Sequence, residues 1–150
     1  MNNDIPAWVE RVFTTSDLDA IATAVAAAER GTSGEIRVHF DQRSPGDALA
    51  QARRLFRSLG MERTQQRNGV LLYLALEDRK FAVFGDEGIH AEVGHGFWDS
   101  VRDVLQRELR ADRPRVAVVA AVEEIGRVLG QYFPPRPDDT NELSDTASMG

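Results

Sequence analysis

Apolar residues recur every three or four positions in four stretches of the chain, as they do along the buried face of a helix. The first stretch follows Thr15 or Ser16, either of which can cap a helix, and it ends at Gly31. The second opens at Asp47, and Pro114 suits the first turn of the last. The residues predicted to face inward are Leu18, Ile21, Val25 and Ala28; Ala48, Ala52, Leu55 and Leu59; Trp98, Val101, Leu105 and Leu109; and Val118, Val122, Ile125 and Leu129.

Three further stretches have the pattern of strands. Residues 35–40 alternate strictly, residues 70–76 form a continuous apolar run, and residues 80–84 return after the polar turn 77–79. A continuous apolar run of this length indicates a strand that is buried on both faces. The order helix, strand, helix, strand, strand, helix, helix predicts an α/β fold, a small mixed sheet with helices on both faces.

The length and composition of the chain indicate a single folded domain. The chain has 150 residues, 42% of them hydrophobic and none of them cysteine, so disulfides and thiolate chemistry are excluded. We expect the domain to span residues 1–133, followed at 134–150 by an acidic tail of net charge −3 that has little to bury and should be disordered. A net charge of −6 argues against nucleic acid as a partner, and the absence of a long apolar run or a signal peptide predicts a soluble protein of the cytoplasm.

Topology predicts where a site should lie. The first two strands are joined through a helix, so they should run parallel, and the third strand should return antiparallel to the second. The start of the first two strands and the end of the third then lie together, which brings residues 32–35, 67–69 and 85–90 to one end of the sheet. At the opposite end, a tight turn is sufficient to explain Asp41, Glu77 and Asp78.

Three oxygen-bearing side chains at the first end form a candidate metal site. Glu35 and Asp86 could hold a hard cation together, with Asn68 as a carbonyl ligand and water in the remaining positions. Calcium suits such an oxygen-lined end, whereas magnesium would keep more of its own water. Each residue also has a purely structural interpretation: a cross-strand ion pair for Glu35, a turn into the strand for Asn68, and a simple turn for Asp86.

Arg37 and His90 are the candidate catalytic residues. Arg37 lies two residues after Glu35 and points to the same face, where it could clamp a phosphate. His90 follows Asp86 by four residues and could act as a general acid, although a loop imidazole that caps a backbone carbonyl is a simpler explanation. His39 also lies on the face of Glu35 and Arg37 and could join them.

Five blocks of sequence resemble, in order, the TPM domain family. They are AERGTSGEIRV at 28–38, RNGVLLY at 67–73, FGDEGIH at 84–90, FWDSV at 97–101 and YFP at 132–134. The resemblance covers residues 13–134 and implies a three-layer α/β/α sandwich. Family members include thylakoid-lumen proteins of photosystem II repair, one described as an acid phosphatase, and bacterial proteins of unknown role. The resemblance also implies divalent cation binding, chiefly of calcium.

Two functions from different classes follow. The first is a divalent-cation-binding module, for calcium or magnesium, that serves protein assembly or repair without catalysis. The alternative is a weak metal-dependent acid phosphatase acting on phosphate monoesters. The sequence contains neither a nucleophile elbow nor a phosphate loop nor a dense ligand cluster, so it favours the binding module. A third possibility is a partner-binding scaffold without a metal.

Overall fold

A computed structural model of the chain describes residues 5–136 and 147–150. The strands are β1 (Glu35–Asp41), β2 (Gly69–Ala75), β3 (Lys80–Gly85) and β4 (Ser148–Met149). The helices are α1 (Ala7–Glu10), α2 (Thr15–Arg30), α3 (Ala48–Ser58), α4 (Glu87–His90), α5 (His95–Arg110) and α6 (Pro114–Tyr132), with a 3₁₀ turn at Met61–Arg63. The predicted α/β class and the predicted order of the major elements are confirmed.

The described strands form one mixed sheet in the order β3-β2-β1-β4. β1 and β2 are parallel, with Glu35 opposite Gly69 and His39 opposite Tyr73. β3 returns antiparallel to β2 as a hairpin, so that Gly85 at its end lies opposite Val70 near the start of β2. The predicted strand directions are therefore confirmed, and with them the meeting of three segments at one end of the sheet.

Two hydrophobic layers cover the two faces of the sheet. The larger contains Ile36, Val38 and Phe40 of β1 with the apolar faces of α2, α5 and α6. The smaller lies under α3, where Ala52 and Phe56 pack against Leu71, Tyr73 and Ala75. Every residue of β2 is buried, because this strand contributes side chains to both layers. Alternate side chains of β2 pack into the two layers, and both layers are apolar. This explains why the sequence of β2 is a continuous apolar run.

Local details differ from the sequence prediction at three places: the start of α2, the loop after β3 and the end of the chain. The cap of α2 is Thr14, one residue earlier than expected, because Asp17 donates its backbone N–H to the Thr14 hydroxyl and its carboxylate accepts from the Thr14 N–H. The glycine-bearing loop after β3 contains the one-turn helix α4. In the tail that was expected to be disordered, Ser148–Met149 instead pair in parallel with His39 and Phe40. Residues 137–146 of that tail lie outside the described residues.

Among the described residues, no helix combines the length and the apolar character needed to cross a bilayer. The cytoplasmic location expected from the sequence stays a prediction.

Candidate functional site

Backbone hydrogen bonds hold the three predicted segments together at the amino end of β1 and β2. The Glu35 N–H donates to the Asn68 carbonyl at 3.4 Å, and the Asp86 N–H donates to the Gly69 carbonyl at 3.0 Å. The Gly88 N–H donates to the Arg67 carbonyl at 2.9 Å. The sequence prediction that these segments converge is thus correct, and the contacts are between backbones as well as side chains.

Asp86 is a buried carboxylate that is bound by an arginine. Arg67 donates from Nε to Oδ2 at 2.8 Å and from Nη2 to Oδ1 at 3.0 Å, a two-pronged pairing that fixes both groups. Oδ1 also accepts the Glu87 backbone N–H at 2.8 Å and so caps α4. The hydrogen bonds to Asp86 raise the pKa of Arg67. The Arg67 side chain is 40% exposed and that of Asp86 only 6%, so the cation faces water and the anion faces the protein.

Asn68 and Glu35 are also buried at this end. The Asn68 Nδ2 donates to the Ser33 hydroxyl at 3.3 Å, and that hydroxyl donates to Gln66 Oε1 at 2.7 Å. The Asn68 N–H donates to Thr64 Oγ1 at 3.2 Å. Polar side chains of the loops before β1 and β2 therefore form hydrogen bonds with neighbouring polar groups, which satisfies them where they are buried.

These residues do not form a preassembled metal centre. Within residues 5–136 and 147–150, no group of three or more histidines, aspartates or glutamates is arranged to hold a metal ion. Both oxygens of Asp86 already accept hydrogen bonds from Arg67. A divalent cation that took both oxygens of this carboxylate would have to compete with the guanidinium.

Arg37 and His90 lie at different edges of the sheet. Arg37 points to the β4 side of β1, where its Nε donates to the Ser148 hydroxyl at 3.4 Å. His90 ends α4 beyond β3, and its ring lies 5.7 Å from that of Trp98. Together with Trp98 and Phe84, His90 lines a groove of about 370 Å³ along β3. The structure does not bring the two candidate catalytic residues to one place.

The sequence did not predict a second polar cluster, at the carboxyl end of β1. His39 contacts Ser148 through Nδ1 at 2.8 Å and Asp41 through Nε2 at 2.9 Å, and Asp41 accepts the Tyr73 hydroxyl at 2.8 Å. The alternation along β1 places Asp41 on the face of His39, but from the sequence alone a tight turn is sufficient to explain Asp41. Ligands of open α/β sheets bind outside the carboxyl ends of parallel strands, and this rule favours the carboxyl end of β1 as a place for a site.

Comparisons with known proteins identify the family. The sequence model of the TPM domain matches residues 9–128. The NMR structure of BA42 protein from the psychrophilic bacterium Bizionia argentinensis is similar, with a TM-score of 0.88 and 39% identity over 95% of this chain and 98% of that one.

Two other solution structures share the fold at low sequence identity. One is an N-terminal domain from Corynebacterium glutamicum, with a TM-score of 0.64 and 14% identity over 98% of this chain and 92% of that one. The other is an N-terminal domain from P. gingivalis, with a TM-score of 0.67 and 17% identity over 81% of this chain and 79% of that one. No curated protein matches the chain. The family match and the similarity to BA42 together show that this chain belongs to the TPM domain family.

Proposed function

We propose that this chain is a TPM-family binding module without phosphatase turnover, which takes a calcium or magnesium ion at Asp86 in competition with Arg67. The observation that supports the proposal is the pairing of a buried carboxylate with a guanidinium that is 40% exposed. A carboxylate in this position needs a cationic partner, and the partner that it has can move into water.

The donors around Asp86 have the chemistry that a hard cation prefers. Calcium binds six to eight oxygens from carboxylates, side-chain amides, backbone carbonyls and water. Asp86 and Glu35 would supply carboxylates, and Asn68 would supply a carbonyl oxygen. Magnesium would keep more of its water and would use fewer of these groups. The bound ion would carry two charges in place of the single charge of Arg67.

Binding without phosphatase turnover is favoured because the groups needed for phosphate hydrolysis are dispersed. A phosphatase would require the clamp Arg37 and the acid His90 within reach of one phosphoryl group. Arg37 instead bonds to Ser148 beside β4, and His90 contacts Trp98 beyond β3. The acid phosphatase therefore stays the alternative.

The test is a calcium and magnesium titration of the metal-stripped protein, followed by backbone NMR. We expect saturable shifts at residues 34–36, 67–69 and 85–90. Asp86→Asn should weaken binding by about tenfold or more, because it removes a ligand charge. Arg67→Gln should tighten binding, because it removes the competing cation. Glu92→Gln, at an exposed glutamate nearby, is the matched control and should change little.

Two results would contradict the proposal. One is a flat titration, or shifts confined to the acidic tail. The other is an Arg67→Gln variant that binds no better than the natural chain. An assay of the metal-loaded protein with para-nitrophenyl phosphate decides between the binding module and the phosphatase. Turnover that Asp86→Asn abolishes would favour the phosphatase.

A further inference from the structure

Four side chains from three strands form a continuous hydrogen-bonded chain at the carboxyl end of β1. The Ser148 hydroxyl lies 2.8 Å from His39 Nδ1, and His39 Nε2 lies 2.9 Å from Asp41 Oδ1. The Tyr73 hydroxyl donates to Asp41 Oδ2 at 2.8 Å. We refer to Ser148, His39, Asp41 and Tyr73 as the serine–histidine relay.

Strand pairing fixes the geometry of the relay. His39 lies directly opposite Tyr73 on one side and opposite Ser148 on the other. The rings of His39 and Tyr73 are nearly parallel, with centroids 6.1 Å apart. His39, Asp41 and Tyr73 are buried, so the imidazole cannot change its partners without breaking a hydrogen bond in the protein interior.

The positions of the hydrogens follow from the partners. With Asp41 as a carboxylate, His39 Nε2 carries the hydrogen and donates it to Oδ1. His39 Nδ1 is then an acceptor, and the hydroxyl of Ser148 donates to it. A hydroxyl hydrogen-bonded to an imidazole that a carboxylate orients is the arrangement that activates serine as a nucleophile on several unrelated folds. In the commonest version the serine bonds to Nε2 and the carboxylate to Nδ1. In this protein Ser148 bonds to Nδ1 and Asp41 to Nε2.

We propose that Ser148 is an activated nucleophile that reacts with small carboxylic esters, with His39 as its general base and Asp41 as a positioning residue. Arg37 supplies the positive charge that such a site needs. Its Nε lies 3.4 Å from Ser148 Oγ, close to where negative charge develops on a carbonyl oxygen during attack. Ser148 and Arg37 are only half-buried, so a small ester can reach them.

The reaction has two balanced halves. Ser148 Oγ forms a bond to the ester carbonyl carbon while its proton passes to His39 Nδ1. The bond from that carbon to the alcohol oxygen then breaks, and the leaving oxygen takes the proton from His39. Water adds to the acyl-serine by the same route, gives its proton to His39, and releases the acid as Ser148 recovers its hydrogen.

The relay is independent of the proposed cation site. It lies at the carboxyl end of β1, whereas Asp86 lies beside the amino end, and none of its members is a proposed ligand. Chelation of divalent cations should therefore leave Ser148 reactive. A sample treated with a chelator therefore tests the relay alone, because labelling of Ser148 does not require a bound cation. Failure of the cation proposal, seen in the metal titration, leaves this result unchanged.

The test is covalent labelling of the full chain by a fluorophosphonate probe in the presence of EDTA. The probe loses fluoride as the Ser148 oxygen bonds to its phosphorus. We expect one adduct by intact mass, mapped to Ser148 by peptide sequencing. Ser148→Ala should lose it, and Ser58→Ala, at an exposed serine of α3, should keep it. Hydrolysis of para-nitrophenyl acetate should follow the same pattern.

Asp41→Asn tests the positioning role with a readout that a purely structural role would not change. We expect it to reduce the labelling rate by about 100-fold or more. The ¹⁵N signals of the His39 ring should show the hydrogen on Nε2 in the natural chain and lose that preference in Asp41→Asn. An unlabelled natural chain, an adduct that persists in Ser148→Ala, or a His39 ring with its hydrogen on Nδ1 would overturn the proposal.

Discussion

The two ends of β1 differ in how they satisfy buried polar groups. At the amino end, Asp86 is paired with a charged and partly exposed Arg67. At the carboxyl end, Asp41 accepts from the imidazole of His39 and the phenol of Tyr73, both of which are buried. The first arrangement can exchange its cation with the solvent. The second can pass a proton between fixed partners. The proposed cation site and the proposed proton transfer therefore lie at opposite ends of the same strand.

The difference arises from what covers each end. Loops cover the amino end and close it through backbone hydrogen bonds, such as the one from Gly88 to Arg67. α3 packs on β3 and β2, and β4 pairs with β1 beyond them. Side chains at the carboxyl end of β1 therefore meet one another across paired strands, whereas those at the amino end are carried largely by loops that backbone hydrogen bonds hold together.

The largest effect should come from Gly88 at the amino end. A Cβ atom at this position would lie 2.1 Å from the Gln66 carbonyl oxygen and 2.6 Å from that of Arg67. Both are backbone atoms of the loop that carries Arg67, so the loop would have to move. Gly88→Ala should lower the free energy of unfolding by about 3 kcal/mol, measured by chemical denaturation. It should also disrupt the Arg67–Asp86 pairing.

Gly96→Ala is the matched control for Gly88→Ala. Apart from its chain neighbours and the backbone of its own helix, no atom of the described residues lies within 4 Å of a Cβ at Gly96, which is in the first turn of α5. This substitution should be neutral or slightly stabilising, since alanine is the better helix former. If Gly88→Ala came within 1 kcal/mol of the Gly96 variant, the close packing of the amino end would be refuted.

The next largest effect should be a loss of stability at high pH, caused by Tyr73 at the carboxyl end. Burial raises the pKa of Tyr73 to about 12 from 10.0, and the neighbouring Asp41 and Asp78 act in the same direction. Above pH 10 the unfolded chain releases this proton while the folded chain retains it. The free energy of unfolding is therefore unaffected below pH 10 and falls as the pH rises from 10 to 12, by about 2 kcal/mol at pH 12.

Tyr73→Phe should remove this pH-dependent loss of stability. Measured at pH 9 and pH 12, the natural chain should lose more stability than Tyr73→Phe does, and the difference should be about 2 kcal/mol. Tyr132→Phe is the control, because Tyr132 is 45% exposed and should not contribute. Equal losses in the natural chain and in Tyr73→Phe would contradict a buried, proton-retaining Tyr73.

The sequence predicted the fold far better than it predicted the carboxyl-end cluster. Helices and strands follow from periodicity and caps, so the pattern from Leu18 to Leu129 was sufficient to give the order and the strand directions. The meeting of the segments that carry Asn68 and Asp86 followed from topology. Arg67 as the partner of Asp86 did not follow, because Arg67 lies in a loop with a backbone φ of 53°, and periodicity does not encode where such a side chain points.

The contribution of Ser148 could not have been predicted from local sequence. Its segment is polar and has too little apolar surface to predict a strand, and only pairing with the edge of β1 gives it a place. Asp41 and His39 were both visible, two positions apart, but their shared partner Tyr73 lies within an apolar run. Long-range register alone brings these groups together.

A smaller effect is expected from the ion pair at the amino end. In the presence of EDTA, Asp86→Asn and Arg67→Gln should each destabilise the protein, and a double-mutant cycle should give a coupling energy of about 1 kcal/mol. The value is moderate because Arg67 is partly exposed and water screens the pair. Arg53→Gln, at an exposed arginine of α3, is the control and should show no coupling to Asp86→Asn. Additive single effects would refute the pairing.

The smallest effect should come from removing residues 147–150. This deletion removes a two-residue strand and the hydrogen bond from the Gly150 N–H to the Phe40 carbonyl at 2.8 Å. Unfolding free energy should fall by about 1 kcal/mol or less, because so short a strand contributes few hydrogen bonds. Hydrogen exchange should nevertheless quicken at Phe40, whose backbone faces β4, while the buried amides of β2 serve as the reference within the same molecule. Unchanged exchange at Phe40 would mean that β4 does not cover this edge in solution, and the carboxyl end of β1 would then lack the hydroxyl that completes its relay.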